Sequence, residues 1–168
     1  LGTDRLWSAT YAPLDVMPMG YHVSFASDKL KYSREDDGIV TQTEITVLKD
    51  RSAEIRRFTF SNHTDHDVDL EITSYGEVVL STAAEEESHR VFNAMKIQSE
   101  YDESHQALLF SRPGNHGTRH FLMHKLWVEG ADAAEGKSEL VEYETSRLKF
   151  LGRGNSLRHA DIIESRRT

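Results

Sequence analysis

The stretch Val68-Asp-Leu-Glu-Ile-Thr-Ser-Tyr-Gly-Glu-Val-Val-Leu80 decides the fold class. Val68, Leu70, Ile72, Ser74, Gly76, Val78 and Leu80 fall on one side of an extended chain, and Asp67, Asp69, Glu71, Thr73, Tyr75 and Glu77 on the other. Side chains alternate across a strand, so a period of two sustained over this length predicts an antiparallel strand with one wet face. Upstream, Ile39, Thr41, Thr43, Ile45 and Val47 share a face, and β-branched residues suit a pleated, half-buried surface. Tyr21 to Phe25 and Leu30 to Arg34 are shorter β-prone runs, and Glu35-Asp-Asp-Gly38 is a turn signal that opens a hairpin into Ile39. Glu54 to Ser61 continues as a strand, with a change of parity near Arg56-Arg57 that predicts a bulge.

Downstream, Thr82 to Glu87 reads as an acidic loop, and Ser88 as the cap of a short helix carrying Val91, Phe92 and Met95. Gln106 to Arg112 is strand-like. His120 to Val128 has apolar residues on both faces, which predicts a strand buried on both sides. Ala131 to Lys137 reads as a hairpin loop of small residues, and Leu140 to Phe150 as a last strand. Residues 1 to 20, with Trp7, Tyr11, Pro13, Pro18 and Gly20, are a loop expected to lie over a sheet. About eight to ten strands, one short helix and no βαβ alternation make the fold class all-β, a large antiparallel β-sandwich in a single domain over residues 1–168.

A chain of this length can bury a proper core. Lys plus Arg number 20 against 28 Asp plus Glu, and the net charge of −8 repels a phosphate backbone, so no nucleic-acid partner is expected. No apolar run approaches the ~20 residues that cross a bilayer. Cysteine is absent, which removes disulfides, thiolate nucleophiles and sulfur-ligated metals. Leu1-Gly-Thr-Asp-Arg5 has neither an initiator Met nor the pattern of a signal peptide, so the chain is expected to be a piece of a longer multidomain protein.

Nine histidines raise the question of a metal. His63 and His66 sit with Asp65 and Asp67 in one turn, and His116, His120 and His124 recur every four residues. On a strand His120 and His124 are too far apart to ligate one ion, so no metal and no cofactor is expected. Glu85-Glu86-Glu87 and the other acidic pairs read as a solvated face, because a glycosidase needs two carboxylates about 5 to 9 Å apart across a sugar. Gly-x-Ser-x-Gly is absent, and no catalytic residue is assigned. Asn62-His-Thr64 matches a glycosylation sequon by chance. Trp7, Tyr11, Tyr75 and Trp127 fit either a core or a sugar-stacking surface.

Charge, aromatics and glycine crowd together in Glu142-Tyr-Glu-Thr-Ser-Arg-Leu-Lys-Phe-Leu-Gly-Arg-Gly-Asn155. Gly152 and Gly154 bracket Arg153, which implies a backbone that turns sharply or approaches something closely while presenting a guanidinium. Read alone, the stretch is an edge strand laced with ion pairs.

Four ordered segments resemble a known family: Asn62 with Leu70 to Leu80, His89-Arg-Val-Phe92, Ala107-Leu-Leu109 with Ser111-Arg112, and Tyr143 to Gly154. Together they resemble the β-sandwich (supersandwich) domain of glycoside hydrolase family 94, formerly glycosyltransferase family 36, and are nearest its cyclic β-1,2-glucan synthase branch. The resemblance implies a non-catalytic domain packed on an (α/α)6 barrel of the same parent chain, with the catalytic acid in that barrel. The parent is implied to be a glycosyltransferase or phosphorylase acting on a β-glucan oligosaccharide or polysaccharide. The implied location is cytoplasmic, at the inner-membrane face. Arg147, Arg153 and Glu144 are the residues expected to bind substrate or line the barrel interface. Three departures from the family pattern stand out. Ser146 replaces an aspartate, Asn155 an arginine, and Arg90 follows His89 where a proline is common, which predicts a looser turn. An autonomous carbohydrate-binding module and a scaffold or homodimerisation domain remain alternatives.

Overall fold

A computed structural model describes residues 5–114, 117–129 and 142–166. Contacts gather them into two units, one made of the chain up to Glu71 together with Ser146 onward, the other of Ile72–Thr145. The first unit is built on a meander of β1 (Gly20–Phe25), β2 (Leu30–Asp36), β3 (Ile39–Val47) and β4 (Glu54–Asn62), each antiparallel to the next. The pairing of β3 with β4 runs without interruption from Ile39 opposite Asn62 to Val47 opposite Glu54. The bulge expected at Arg56-Arg57 is therefore absent. The parity change there reflects apolar residues on both faces of β4, Ile55 on one and Phe58 and Phe60 on the other.

Cross-strand partners point to the same face, so the register sorts the sheet. One face carries Lys31 and Glu44, paired directly across β2 and β3 at 2.6 Å, with Lys29 at 3.7 Å. The Lys31 hydrogen bond holds the Glu44 carboxyl below its usual pKa. This is the wet face. The other carries Ile39, Thr41, Thr43, Ile45 and Val47, together as the sequence predicts, opposite Asp36, Arg34, Tyr32 and Leu30. It is buried at the Ile39 end and open at the far end, where Phe25 is 81% exposed.

Arg34 is the centre of the buried end, at 1% exposure. Its Nε and Nη2 donate to the two carboxylate oxygens of Asp36 at 2.6 and 2.7 Å. Nη1 donates to the carbonyls of Ser8 and Thr10, and Nη2 also to that of Val16. All five guanidinium protons are thus used, which is the condition under which a buried arginine is tolerated. The acceptors from residues 8–16 fix that segment over the sheet, as expected for the N-terminal loop.

The second unit holds β5 (Gln98–Asp102), β6 (Ala107–Pro113) and β7 (Arg119–His124), again an antiparallel meander, and α1 (Ala83–Ala94). The expected acidic loop is the start of this helix. Thr82 Oγ1 accepts from the Glu85 amide, and the Glu85 carboxylate accepts from the Thr82 amide at 3.0 Å, a reciprocal cap that draws the helix start back from Ser88 to Ala83. The bond from the Thr82 amide also holds the Glu85 carboxyl below its usual pKa. Arg112 on β6, 4% exposed, donates to the Leu80 carbonyl at 3.1 Å and to Asn93 Oδ1 at 2.9 Å. Asn93 Nδ2 in turn donates to the Glu85 carbonyl.

Several expectations are corrected. Residues 67–80 belong to neither helix nor strand despite their alternation, and the boundary between the units falls inside them. Alternation supplies a face, but a strand exists only when a partner completes its ladder. β7 stops at His124, and all six of its residues are exposed, Phe121 at 61%, instead of being buried on both sides. The described residues hold seven strands, three α-helices and a 3₁₀ turn at Leu157–His159, in place of eight to ten strands and one helix. The class is all-β, built of antiparallel sheets. The expected loop of Ala131 to Lys137, the first residues of the last predicted strand, and His116 lie outside the described residues.

Replacing Arg34 by Ala strands the Asp36 carboxylate and releases three backbone carbonyls. The expected cost is about 3–5 kcal/mol by urea denaturation. A loss below about 1 kcal/mol would contradict this placement.

Candidate functional site

The charged stretch that closes the sequence signature folds differently from the strand predicted for it. Arg147–Leu151 is a short helix, α2, with Phe150 and Leu151 buried and Arg147 exposed. Ser146 caps it: its Oγ accepts from the Lys149 amide at 3.4 Å. Serine and aspartate are both good N-caps, so the Ser146 departure from the family pattern keeps the cap while removing a charge. Gly152 ends the helix at φ +86 and ψ 170, a conformation essentially reserved for glycine. A Cβ there would also run into the Asp161 carboxylate. The same carboxylate accepts from Asn155 Nδ2 at 2.7 Å. Gly152 therefore answers both readings of the Gly-x-Gly signal, a sharp turn and a close approach, and Asn155 ties the turn to the first residue of α3 (Asp161–Arg166).

Arg147 and Arg153 thus lie in the first unit, both exposed, Arg153 between glycines at φ +86 and +79. Glu144 falls in the second unit. Residues 142–146 carry no assigned ladder, yet Tyr143 stacks on Tyr101 with centroids 5.0 Å apart, and Ser99 Oγ donates to Thr145 Oγ1 at 3.0 Å. The two pairs share one antiparallel register along the outer edge of β5, so part of the predicted strand survives as side-chain contacts.

A groove of about 550 Å³ opens in the first unit. Its lining includes Trp7, Asp15, Asp36, Asp37 and Arg158, drawn from the N-terminal segment, the β2–β3 turn and the 3₁₀ turn. Each carboxylate there has a guanidinium partner. Arg158 pairs with Asp15, Arg5 with Asp37 and Arg34 with Asp36. Asp15 and Asp37 both have positive φ, 53° and 49°. Of these residues the sequence points only to Trp7, as one of two readings. The rest are brought together by contacts such as Asp15 with Arg158, 143 positions apart, for which a single sequence holds no signal. Tyr11 and Trp127 are exposed, against the core reading, while Trp7 and Tyr75 are half-buried.

Other clusters are structural. At the β5–β6 turn Asp102 Oδ1 accepts from the Ser104 hydroxyl at 2.6 Å, and Oδ2 lies 2.7 Å from His105 Nδ1. These bonds, Ser104 first and then His105, pull the Asp102 pKa down from 3.8 to about 2. Serine donates here to the carboxylate rather than being activated by histidine, so the trio locks a turn. His66 lies 3.0 Å from Asp65 and lowers the Asp65 pKa, while Asn62 Oδ1 accepts from the Thr64 amide and hydroxyl. Among the described residues no group of three or more His, Asp or Glu is placed to hold a metal. In α1, His89 is non-helical at φ −145 and ψ 48. Arg90 pairs with Glu86 at 3.3 Å and Glu77 at 3.1 Å.

Two outcomes follow from this geometry. Gly152→Ala should cost at least about 1–3 kcal/mol in chemical denaturation, and a neutral effect would contradict the close approach of Asp161. By carbon-detected NMR the Asp102 carboxyl should titrate near 2 rather than 3.8. Because the folded pKa is depressed, its contribution to stability is present above 3.8 and is lost as the pH falls toward 2. Asp102→Asn should remove that pH dependence.

The whole chain, residues 1–168, matches the family described as glycosyl hydrolase 94, supersandwich domain. It is 28% identical over 163 residues to the cyclic beta-(1,2)-glucan synthase NdvB of Rhizobium meliloti (strain 1021), a match that covers 96% of this chain and 6% of that protein. The chain therefore spans a small part of the length of this relative. No solved structure matches the chain. No helix among the described residues is long and apolar enough to cross a membrane. With the family matched from end to end and two antiparallel sheets in place, the chain belongs to the glycosyl hydrolase 94 supersandwich family.

Proposed function

We propose that this chain is the non-catalytic β-sandwich domain of a larger cyclic β-1,2-glucan synthase-like or glucan phosphorylase-like enzyme. In that role it supports carbohydrate binding and packs on an (α/α)6 catalytic barrel carried by the same polypeptide, at the cytoplasmic side of the inner membrane. The observation that carries this reading is the family match over the full chain, joined to a relative named as a glucan synthase of which the chain covers only 6%.

Two further features support it. Each sheet exposes large apolar side chains, Phe25, Val47 and Phe58 on one, Phe121 and Met123 on the other. Large apolar side chains exposed on one face of a sheet suit a face that another layer covers. Arg147 and Arg153 stand exposed, the first on a short capped helix and the second in the glycine-bracketed turn that follows it. A guanidinium so placed can fork onto sugar hydroxyls or onto a carboxylate of the barrel.

In the full-length enzyme, Arg147→Ala and Arg153→Ala should each weaken glucan affinity or lower thermal stability, with activity falling severalfold. Unchanged activity, affinity and stability in both variants would remove these residues from the interface. The isolated chain should bind linear and cyclic β-1,2-glucans only weakly, and millimolar or tighter binding would favour an autonomous binding module.

A further inference from the structure

We propose that the groove bounded by Trp7, Asp15, Asp37 and Arg158 is a subsite for a neutral saccharide, large enough for one or two glucosyl units. The inference rests on the carbohydrate reading above for the class of ligand, but the location comes from the structure alone, since neither Arg147 nor Arg153 lines this groove.

Three properties select the ligand. The first is size: about 550 Å³ lies within the range of sites that hold small molecules, roughly 300–1,000 Å³. The second is charge. The carboxylates of Asp15, Asp36 and Asp37 are each matched by a guanidinium, from Arg158, Arg34 and Arg5, and the remaining cationic candidate, His159, lies 3.7 Å from Glu164. A site whose charges are already paired offers little to an anion or a cation. Its carboxylate oxygens and N–H groups still offer acceptors and donors to a ligand that brings many hydroxyls. The third is the wall: Trp7 is partly exposed in the groove beside Leu6, Leu14 and Met17, and an indole with apolar neighbours suits the C–H face of a pyranose.

The groove is also held in shape before any ligand arrives. Arg34 anchors residues 8–16 from beneath through three carbonyls, and Arg158 reaches the same segment at Asp15. Asp15 and Asp37 sit in left-handed backbone, which asparagine and aspartate tolerate better than most residues, so their side chains are aimed by the turn itself. A site assembled this way loses little freedom on binding.

Amide hydrogen exchange in the full-length protein tests this locally. A linear β-1,2-linked glucose oligosaccharide at about ten times its dissociation constant should slow exchange at residues 5–19 and 36–38 about tenfold. Trp7→Ala should abolish the slowing, while Trp7→Phe, which keeps a ring, and Asp37→Asn should reduce it. These two milder variants keep the test decisive if Trp7→Ala does not fold. Glucan binding or turnover without slowing at these residues, or equal slowing in Trp7→Ala, would overturn the subsite and leave the domain's proposed role standing. No interaction of the full-length protein with any β-glucan would overturn both. Equal slowing by glucose 6-phosphate would overturn the neutral-ligand assignment.

Discussion

The buried Arg34 guanidinium is the constraint on which the first unit depends. A charge at 1% exposure is costly to desolvate, and it is tolerable here because Asp36 takes two of its protons and three carbonyls take the rest. The carbonyls belong to residues 8–16, a segment with no strand or helix of its own. Its position is therefore set by a side chain on β2 rather than by a ladder. The groove at Trp7, Asp15 and Asp37 is a consequence of that anchoring.

The second unit repeats the arrangement in weaker form. Arg112 projects from a central strand, is 4% exposed, and collects an irregular segment at Leu80 and a helix at Asn93, with its Nε left without a partner. In both units an arginine on a strand holds an irregular segment in place, residues 8–16 in the first and the chain at Leu80 in the second. Apolar burial is correspondingly thin among the described residues: Ile39, Ala107, Phe150, Leu151 and Ala160 form the buried hydrophobic set, while Phe25 and Phe121 face outward. Polar anchoring under open apolar faces is what an accessory layer needs if a neighbour completes its core.

Legibility in the sequence followed the range of the interaction. The shared face of Ile39 to Val47 was readable because its neighbouring strands lie just before and just after it in the chain and agree with it. Val68 to Leu80 has the cleaner alternation and forms no strand, because alternation carries no information about a partner. Two helix starts were present in the sequence and were outweighed by β-prone neighbours: Thr82-x-x-Glu85, a reciprocal cap, and Ser146, whose hydroxyl caps α2. The Gly152–Gly154 signal was read correctly as a turn and close approach, but its partner, Asp161, was not. Arg34 looked like the end of a short strand, and nothing local marks it as the residue that five acceptors meet. The family resemblance supplied what periodicity lacked, since it depends on the order of segments rather than on any one contact.

The account's central claim is that these sheets form one layer of a larger carbohydrate-active enzyme. A structure of the full-length protein by electron cryomicroscopy tests it most directly. The account predicts that Phe25, Val47, Phe58, Phe121 and Met123 are covered by other parts of the enzyme, with the Gly152 to Gly154 turn at or beside a barrel. Those side chains remaining in solvent, with no catalytic domain against either sheet, would contradict it.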